Sequence, residues 1–406
     1  MAVAGSSPLA GREPVLISLS GLIAGLVLPV AMVAANRSAP LVVALAAASA
    51  IGGVIAAGQA PALLALRGRA LRGAVAGLVI LAALAFVSIL WVHNRPASLF
   101  SLGEALASAV PATLLALAWR IRQPARLGLM LACGLLLAAL LAIADLSTGM
   151  VWRRMAGIRP DLYVVNRSVM TQVVLLFPML LLLEGRARAL GLLAALAVAV
   201  AVFRSESTSA QLGLIVGTLA YGAARIAPRL AVLATIGGAA LLTVLAPWIG
   251  GIVHAVLPAG FHEAMARSHS DDRVNIWQSF GAAVMERPLL GSGFNASARM
   301  AEDPVVGQVA EPLRALLGAG HPHNAFLQVW VDLGLAGAVI VLMLMALTGR
   351  ALLRSSALVR PAATGLAATV LAIAAVSHGA WQGWWLASAG VALAITLATG
   401  ARHERV

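Results

Sequence analysis

The stretch "GAGHPHNAFLQVWVDLGLAG", residues 318–337, places two histidines at the mouth of an apolar run. His321 and His323 stand two apart with Pro322 between them, and the run that follows is long enough to enter a bilayer. Proline disfavours helix in the residue before it and suits the first helical turn, so the spacing predicts a helix start around His323 or Asn324. Asn324, Gln328 and Asp332 recur at i, i+4 and i+8 and line one face of that helix. In lipid a polar face must look into a helix bundle or a water-filled cavity. Spacing alone leaves two readings open. The histidines are helix-end hydrogen-bonding residues with a polar stripe beneath them, or one of them is a general base, since a histidine at the water boundary titrates near neutral pH.

The rest of the chain supplies the setting. Of 406 residues, 61% are hydrophobic and 11% charged, against roughly 25% charged in an average globular chain. The mean hydropathy is +0.95. Apolar runs repeat from end to end, so the chain reads as an all-α polytopic membrane protein. Twelve spans are expected near 15–35, 40–58, 74–92, 99–118, 127–146, 168–184, 189–203, 209–224, 230–249, 324–348, 361–378 and 384–400. This divides the chain into nine membrane helices over 1–249, one long loop over 250–323, and three more helices over 324–406. The first apolar segment is too long for a signal peptide and reads as a span. A single cysteine, Cys133, rules out a disulfide within the chain.

Net charge is +13, and all 28 basic residues are arginine. With both termini in the cytoplasm, 16 arginines fall in short inner loops, as the positive-inside bias requires. The basic balance therefore reflects topology, and the aromatic-plus-basic pattern of a nucleic-acid reader is absent. The other 12 arginines fall outside: Arg37, Arg95, Arg153, Arg154, Arg159, Arg167, Arg204, Arg267, Arg273, Arg287, Arg299 and Arg314. Positive charge there opposes the bias. For Arg287, Arg299 and Arg314 a solvated loop surface and a functional role are both open. The arginines at span mouths read as an anion site, because guanidinium groups recognise phosphate and carboxylate with two parallel bonds.

Three further clusters surround that reading. In the long loop, "DDRVNIWQSFGAAVMERP" predicts an amphipathic helix with Trp277, Phe280, Gly281, Val284 and Met285 on its apolar face. Asp271 or Asp272 is expected to cap it and Pro288 to follow its end. Arg273 opens this helix, as an ion-pair partner of either aspartate or as a phosphate ligand. In "VVNRSVMTQ", residues 164–172, Asn166 and Arg167 stand where a span begins. A helix N-terminus beside an arginine favours an anion, and simple snorkelling is the alternative. In "FRSESTSAQ", residues 203–211, Arg204 and Glu206 mark a polar break between spans, with a local ion pair as the alternative. Histidines at i, i+2 do not share a helix face, and neither an HExxH motif nor an acidic cluster accompanies them, so no metal is expected.

The loop and the histidine segment, taken in order, resemble the O-antigen ligase and polymerase superfamily. The shared pattern is Arg273 followed by Trp277, the turn Pro288-Leu289-Leu290-Gly291-Ser292-Gly293, then His323-Asn324 opening a helix that reaches Gly334-Leu335-Ala336-Gly337. The resemblance covers residues 268–340. It implies a membrane glycosyltransferase of the C-type class with about 12 spans, one long periplasmic loop carrying amphipathic helices, and an active site on the periplasmic face of the bacterial inner membrane. Such an enzyme moves a glycan from an undecaprenyl diphosphate donor without nucleotide sugar, cofactor or metal. It implies His323 as base and Arg273, with Arg167, Arg204 and Asn166, on the diphosphate. His321, Asn324, Gln328, Asp332 and Trp277 would support them. The family's Ser-Arg-Gly-like motif is replaced here by "SESTSAQ", with Thr208 near the arginine's place, and Arg204 is the expected substitute. Among acceptors, lipid A-core is favoured. Another lipid-linked glycan, as for a polymerase, or a protein hydroxyl remains the alternative. A transporter of organic anions would show two similar halves with Gly/Pro-broken spans, and that symmetry is not seen. A phosphatase fused near residue 290 should be active and one fused after residue 405 inactive; the reverse pattern overturns this orientation.

Overall fold

The computed structural model describes residues 15–64, 69–183, 185, 187–256, 270–377 and 379–403. Arg12, Arg67, Arg186, Arg267 and Arg405 lie outside the described residues. No strand occurs among those described, and helices carry the whole architecture. They are α1 (Val15–Ala34), α2 (Ala39–Ala56), α3 (Arg69–Ser88), α4 (Arg95–Ile121), α5 (Leu127–Ser147), α6 (Val165–Leu182), α7 (Ala187–Arg204), α8 (Thr208–Ile226), α9 (Pro228–Leu245), α10 (Ser270–Glu286), α11 (Ala325–Arg354), α12 (Val359–Val376) and α13 (Gly383–His403). Each expected span falls on one of these, and α10 is the additional amphipathic helix. Ten helices among the described residues are long and apolar enough to cross a membrane; the expected spans on α3 and α8 fall on helices outside those ten. The chain is a multi-pass, all-helical membrane protein.

Up-and-down alternation brings alternate connections to one end. Asn36 in the α1–α2 turn donates to the Val164 carbonyl ahead of α6 at 3.3 Å. His93 in the α3–α4 turn meets Asp303 of the long loop at 3.0 Å. The Gly383 N–H opening α13 donates to Glu104 at 3.3 Å. At the opposite end Gln123 donates to Thr399 at 3.0 Å, and Gly21 of α1 packs on Pro124. Helix α6 is the most buried of the ten spans and packs against α5, α7, α8, α12 and α13. Its first turn opens into the centre of the histidine end.

The long loop is held by a break in α11. Gly334 has φ 62° and ψ −157°, a backbone region that is essentially glycine-only. The break frees the carbonyls of Val331 and Asp332 and the N–H groups of Leu335 and Ala336 from their helical partners. The turn at residues 288–293 takes all four. Ser292 N–H donates to Val331 O at 2.8 Å and Gly293 N–H to Asp332 O at 2.9 Å. Leu335 N–H donates to Pro288 O at 2.8 Å and Ala336 N–H to Leu289 O at 3.2 Å. A buried backbone group left unpaired in lipid costs several kcal/mol, so helix and turn satisfy each other. Beside the break, the buried Asp332 carboxylate accepts from Ser297 N–H at 2.9 Å, Ser297 Oγ at 3.2 Å and Trp381 Nε1 at 2.7 Å. Gln328 donates to Ser297 Oγ at 3.0 Å and accepts from Ala380 N–H at 2.7 Å. The polar stripe thus looks into the bundle and joins the loop to the α12–α13 connection.

Two local expectations change. Helix α10 buries Val274, Ile276, Phe280, Ala283 and Val284, whereas Met285 is exposed. The helix is covered on two sides, by α11 and by the short helix Ile249–Val256, so its buried arc is wider and rotated away from Met285. Asp271 and Asp272 lie in its first turn, which the helix dipole favours, and neither precedes it as a cap. Above it, Phe280 and Val284 share a core with Met300, Val305, Leu317 and Leu327, which roofs the start of α11.

Gly334→Ala should destabilise the fold by about 3 kcal/mol or more, since the added Cβ meets the Leu289 carbonyl at 2.5 Å in a disfavoured backbone region. Thermal unfolding in detergent reads this, with Gly307→Ala, which meets nothing within 4 Å, as the control. Equal midpoints for the two variants would remove the interlock from the account.

Candidate active site

Helix α11 begins at Ala325, one residue past the expected start. Asn324 caps it, its side chain accepting from Leu327 N–H at 3.0 Å. That role fixes Asn324 as a structural cap directly beneath the histidines. His323 has φ 49°, an unusual value for a residue with a side chain, and the kink turns its ring back against His321. The two ring centroids lie 4.1 Å apart at 55°. His323 N–H donates to His321 Nδ1 at 3.2 Å, which leaves the His321 proton on Nε2. A ring N–H of His323 donates to the carbonyl of Ser377, where α12 ends. The other ring nitrogen then carries a lone pair.

Charge and burial keep both rings neutral. Burial lowers His323 to a pKa of about 3, with His321 and the Arg273 charge adding to the effect and the Ser377 bond opposing it. Burial and the Arg167 charge lower His321 to about 4. Arg273, half-buried on the first turns of α10, is itself lowered by burial, against the pull of Asp272. Arg167 stands on the first turn of α6, with its guanidinium 5.6 Å from the Trp384 ring centroid. The charges of Arg37 and Glu104 act on it. The site is therefore two neutral histidines between two guanidinium groups, at a mouth where α4, α6, α11 and α13 all begin.

The outer arginines sort themselves by partner. Arg153 pairs with the buried Asp145 at 2.9 Å, and Arg159 with Asp161 at 2.5 Å. Arg154 donates to the Gly149 carbonyl, and Arg95 to the Leu90 carbonyl at 2.8 Å. Arg287 pairs with Asp303 at 3.2 Å, Arg299 with Glu302 at 3.4 Å, and Arg314 donates to the Val309 carbonyl at 2.7 Å. These seven hold turns and loops together, so the anion-site reading of Arg153, Arg154 and Arg159 gives way to a structural one. Arg204 ends α7 with an exposed side chain, and no bond ties it to the histidines. Arg167 and Arg273 are the two whose charge reaches the ring pair.

Two buried polar atoms near the arginines have no protein partner. One is Trp277 Nε1, a turn along α10 from Arg273, and the other is Asn166 Oδ1, next to Arg167. A buried donor and a buried acceptor without partners suit ligand contacts, because leaving them unmade costs about 1–3 kcal/mol each. Asp332 and Gln328 do not face this space; they hold Trp381 and Ser297 below it. Among the described residues no group of three or more His, Cys, Asp or Glu side chains converges to hold a metal. The Ser377 carbonyl and Glu104 are residues that sequence reasoning passed over, and Arg37 entered it only as an arginine of a short turn. Glu104 had a signal, as a lone carboxylate inside an apolar span.

A helical membrane bundle with a roofed, arginine-flanked histidine pair at one end is the class that fold and site define. Residues 192–342 match the family model described as O-antigen ligase. The matched segment runs from α7 into α11 and contains Arg204, Arg273, both histidines and Gly334; Asn166 and Arg167 precede it. A protein of Rickettsia bellii (strain RML369-C) named "Putative polysaccharide ligase" is 26% identical over 192 residues. That match spans 45% of this chain and 45% of the relative, so under half of either length is shared.

With histidine labelled for nitrogen NMR in detergent micelles, His321 and His323 should both show neutral-ring signals at about pH 5.5, below the ordinary histidine value of about 6.5. Arg273→Ala removes one cause of the lowering, so the His323 transition should move upward. An imidazolium signal for both rings at that pH would contradict the geometry.

Proposed function

We propose that the protein transfers an O-antigen glycan from undecaprenyl diphosphate to a sugar hydroxyl of lipid A-core, at the periplasmic face of the bacterial inner membrane. The observation that carries this reading is the stacked pair of His321 and His323 at the mouth of α11, with ring centroids 4.1 Å apart and the charges of Arg167 and Arg273 acting on the two rings. A neutral base between two fixed cations suits a reaction in which a proton leaves one partner while negative charge grows on the other.

The acceptor oxygen attacks the anomeric carbon as its proton passes to the free nitrogen of His323. The bond from that carbon to the diphosphate oxygen breaks, and its electron pair stays on the departing diphosphate. Configuration at the carbon inverts. Arg273 and Arg167 stabilise the charge that develops, and guanidinium forks already in place need no reorganisation at that moment. Trp277 Nε1 donates to a phosphate oxygen and Asn166 Oδ1 accepts from a glycan hydroxyl. Arg204, exposed at the end of α7, meets the glycan or its acceptor. The apolar faces between helices take the polyprenyl tail, and membrane lipids surround the rest.

The donor also prepares the base. Arg273 depresses His323 in the free protein, and a bound diphosphate offsets that charge. The pKa of His323 therefore rises on binding. The acid limb of kcat/KM, which reports the free enzyme, should lie below that of kcat, which reports the complex. A histidine unaffected by its neighbours would put both near pH 6.5.

His323→Ala should lower kcat by about 10²–10⁴-fold with donor retention intact, the range expected for a lost general base. Arg273→Lys should weaken donor binding by about tenfold or more, because a point charge does not replace the fork. His321→Ala should be milder than His323→Ala. Purified protein, lipid-linked glycan and acceptor test this, with product and retained donor measured separately. Near wild-type turnover in His323→Ala returns the histidine to a helix-end role. In a deletion strain, a lipopolysaccharide gel without its ladder supports the ligase, while a band with a single repeat unit identifies a polymerase.

A further inference from the structure

At the end of the bundle opposite the histidines, a groove of about 530 Å³ lies between α9 and α11. Its walls are apolar, with Ile236 and Gly237 on one helix facing Met345 and Ala346 on the other. Glycine and alanine create the space, since a Cβ on Gly237 would meet nothing within 4 Å. The cavity ends at Arg350 and Arg354, one turn apart on α11 and both exposed. Their neighbour Arg360 is occupied, donating to the carbonyls of Leu352 at 3.1 Å and Ser355 at 2.5 Å. Among the described residues, neither Arg350 nor Arg354 has a hydrogen-bond or ion-pair partner. The described carboxylates, from Glu104 to Asp332, all belong to the histidine end and its loop. An apolar slot that ends on two exposed guanidinium groups matches one kind of molecule, an acyl chain attached to an anionic phosphate.

We infer that this groove binds one acidic phospholipid, with an acyl chain between Ile236 and Met345 and the phosphate on Arg350 and Arg354. The site is separate from the proposed reaction and does not depend on it. Two features select an acidic lipid over a zwitterionic one. The paired arginines repel a headgroup ammonium, and no described carboxylate stands near to receive it. Two arginines near an anionic headgroup give a preference of about tenfold or more.

The test reconstitutes the full chain in vesicles of phosphatidylglycerol and phosphatidylethanolamine in equal amounts. The protein is then extracted in mild detergent, and its retained lipids are counted by native mass spectrometry. Wild type should keep one phosphatidylglycerol in preference to phosphatidylethanolamine, and excess inorganic phosphate should not displace it. The double variant Arg350→Gln, Arg354→Gln should lose the preference. Gly237→Leu keeps both charges but fills the slot, and it too should lose the lipid. Unchanged thermal midpoints show that both variants fold. Should a midpoint fall, a photoactivatable phosphatidylglycerol on wild-type protein gives the answer through crosslinks within 232–240 and 342–354. Equal retention of the two lipids by wild type, full retention by a folded Gly237→Leu, displacement by phosphate alone, or crosslinks elsewhere would each overturn the proposal.

Discussion

The four backbone hydrogen bonds between the broken helix α11 and the turn at 288–293 are the constraint on which the rest depends. A helix interrupted inside a membrane protein must find other partners for the groups it releases. Here those partners come from the loop that follows α10. That loop carries Pro288, Gly291 and Gly293, and it can approach closely because Gly291 and Gly293 both take positive φ. A Cβ on Gly291 would meet the Asp332 carbonyl carbon at 2.6 Å, and one on Gly293 would meet Val92 at the same distance. The two motifs that sequence reading set side by side are therefore one structural unit.

That unit fixes the position of the histidine site. Helix α10, with Arg273 at its start, is joined to the turn at its other end. Helix α11, with His323 at its mouth, is joined to the turn through its break. Asp332 and Gln328 extend the connection to Trp381 and Ala380, close to the Ser377 carbonyl that orients His323. Arg273, His323 and the Ser377 carbonyl thus share one backbone frame. Arg167 enters from a different direction, on the deeply buried α6, so the two guanidinium groups flank the histidines from separate elements.

The spans were legible because hydropathy over some twenty residues is a strong signal, and ten of the twelve expected fell on helices long and apolar enough to cross a membrane. The break at Gly334 was not. "VDLGLAG" reads as ordinary small-residue packing, and only the distant turn distinguishes a breaking glycine from a packing one. The buried arc of α10 was misplaced at Met285 for a related reason: periodicity gives one apolar face, while the roof and α11 cover two. Arg167, Arg273 and the histidines stood out as polar groups at span mouths. The structural roles of Arg153 and Arg154 were hidden, since Asp145 and the Gly149 carbonyl become partners only through tertiary folding. The Ser377 carbonyl has no sequence signature at all, being a backbone group.

The central claim is that the diphosphate of a polyprenyl donor sits between Arg167 and Arg273 with its sugar turned toward His323. The most direct measurement is cryo-electron microscopy of the protein holding a donor analogue that cannot be cleaved. The expected result places phosphate oxygens within hydrogen-bond distance of both guanidinium groups, about 2.7–2.9 Å, with the unprotonated His323 nitrogen facing the anomeric carbon's open side. A diphosphate bound on Arg204 alone, or at the end of the bundle away from the histidines, would contradict the account.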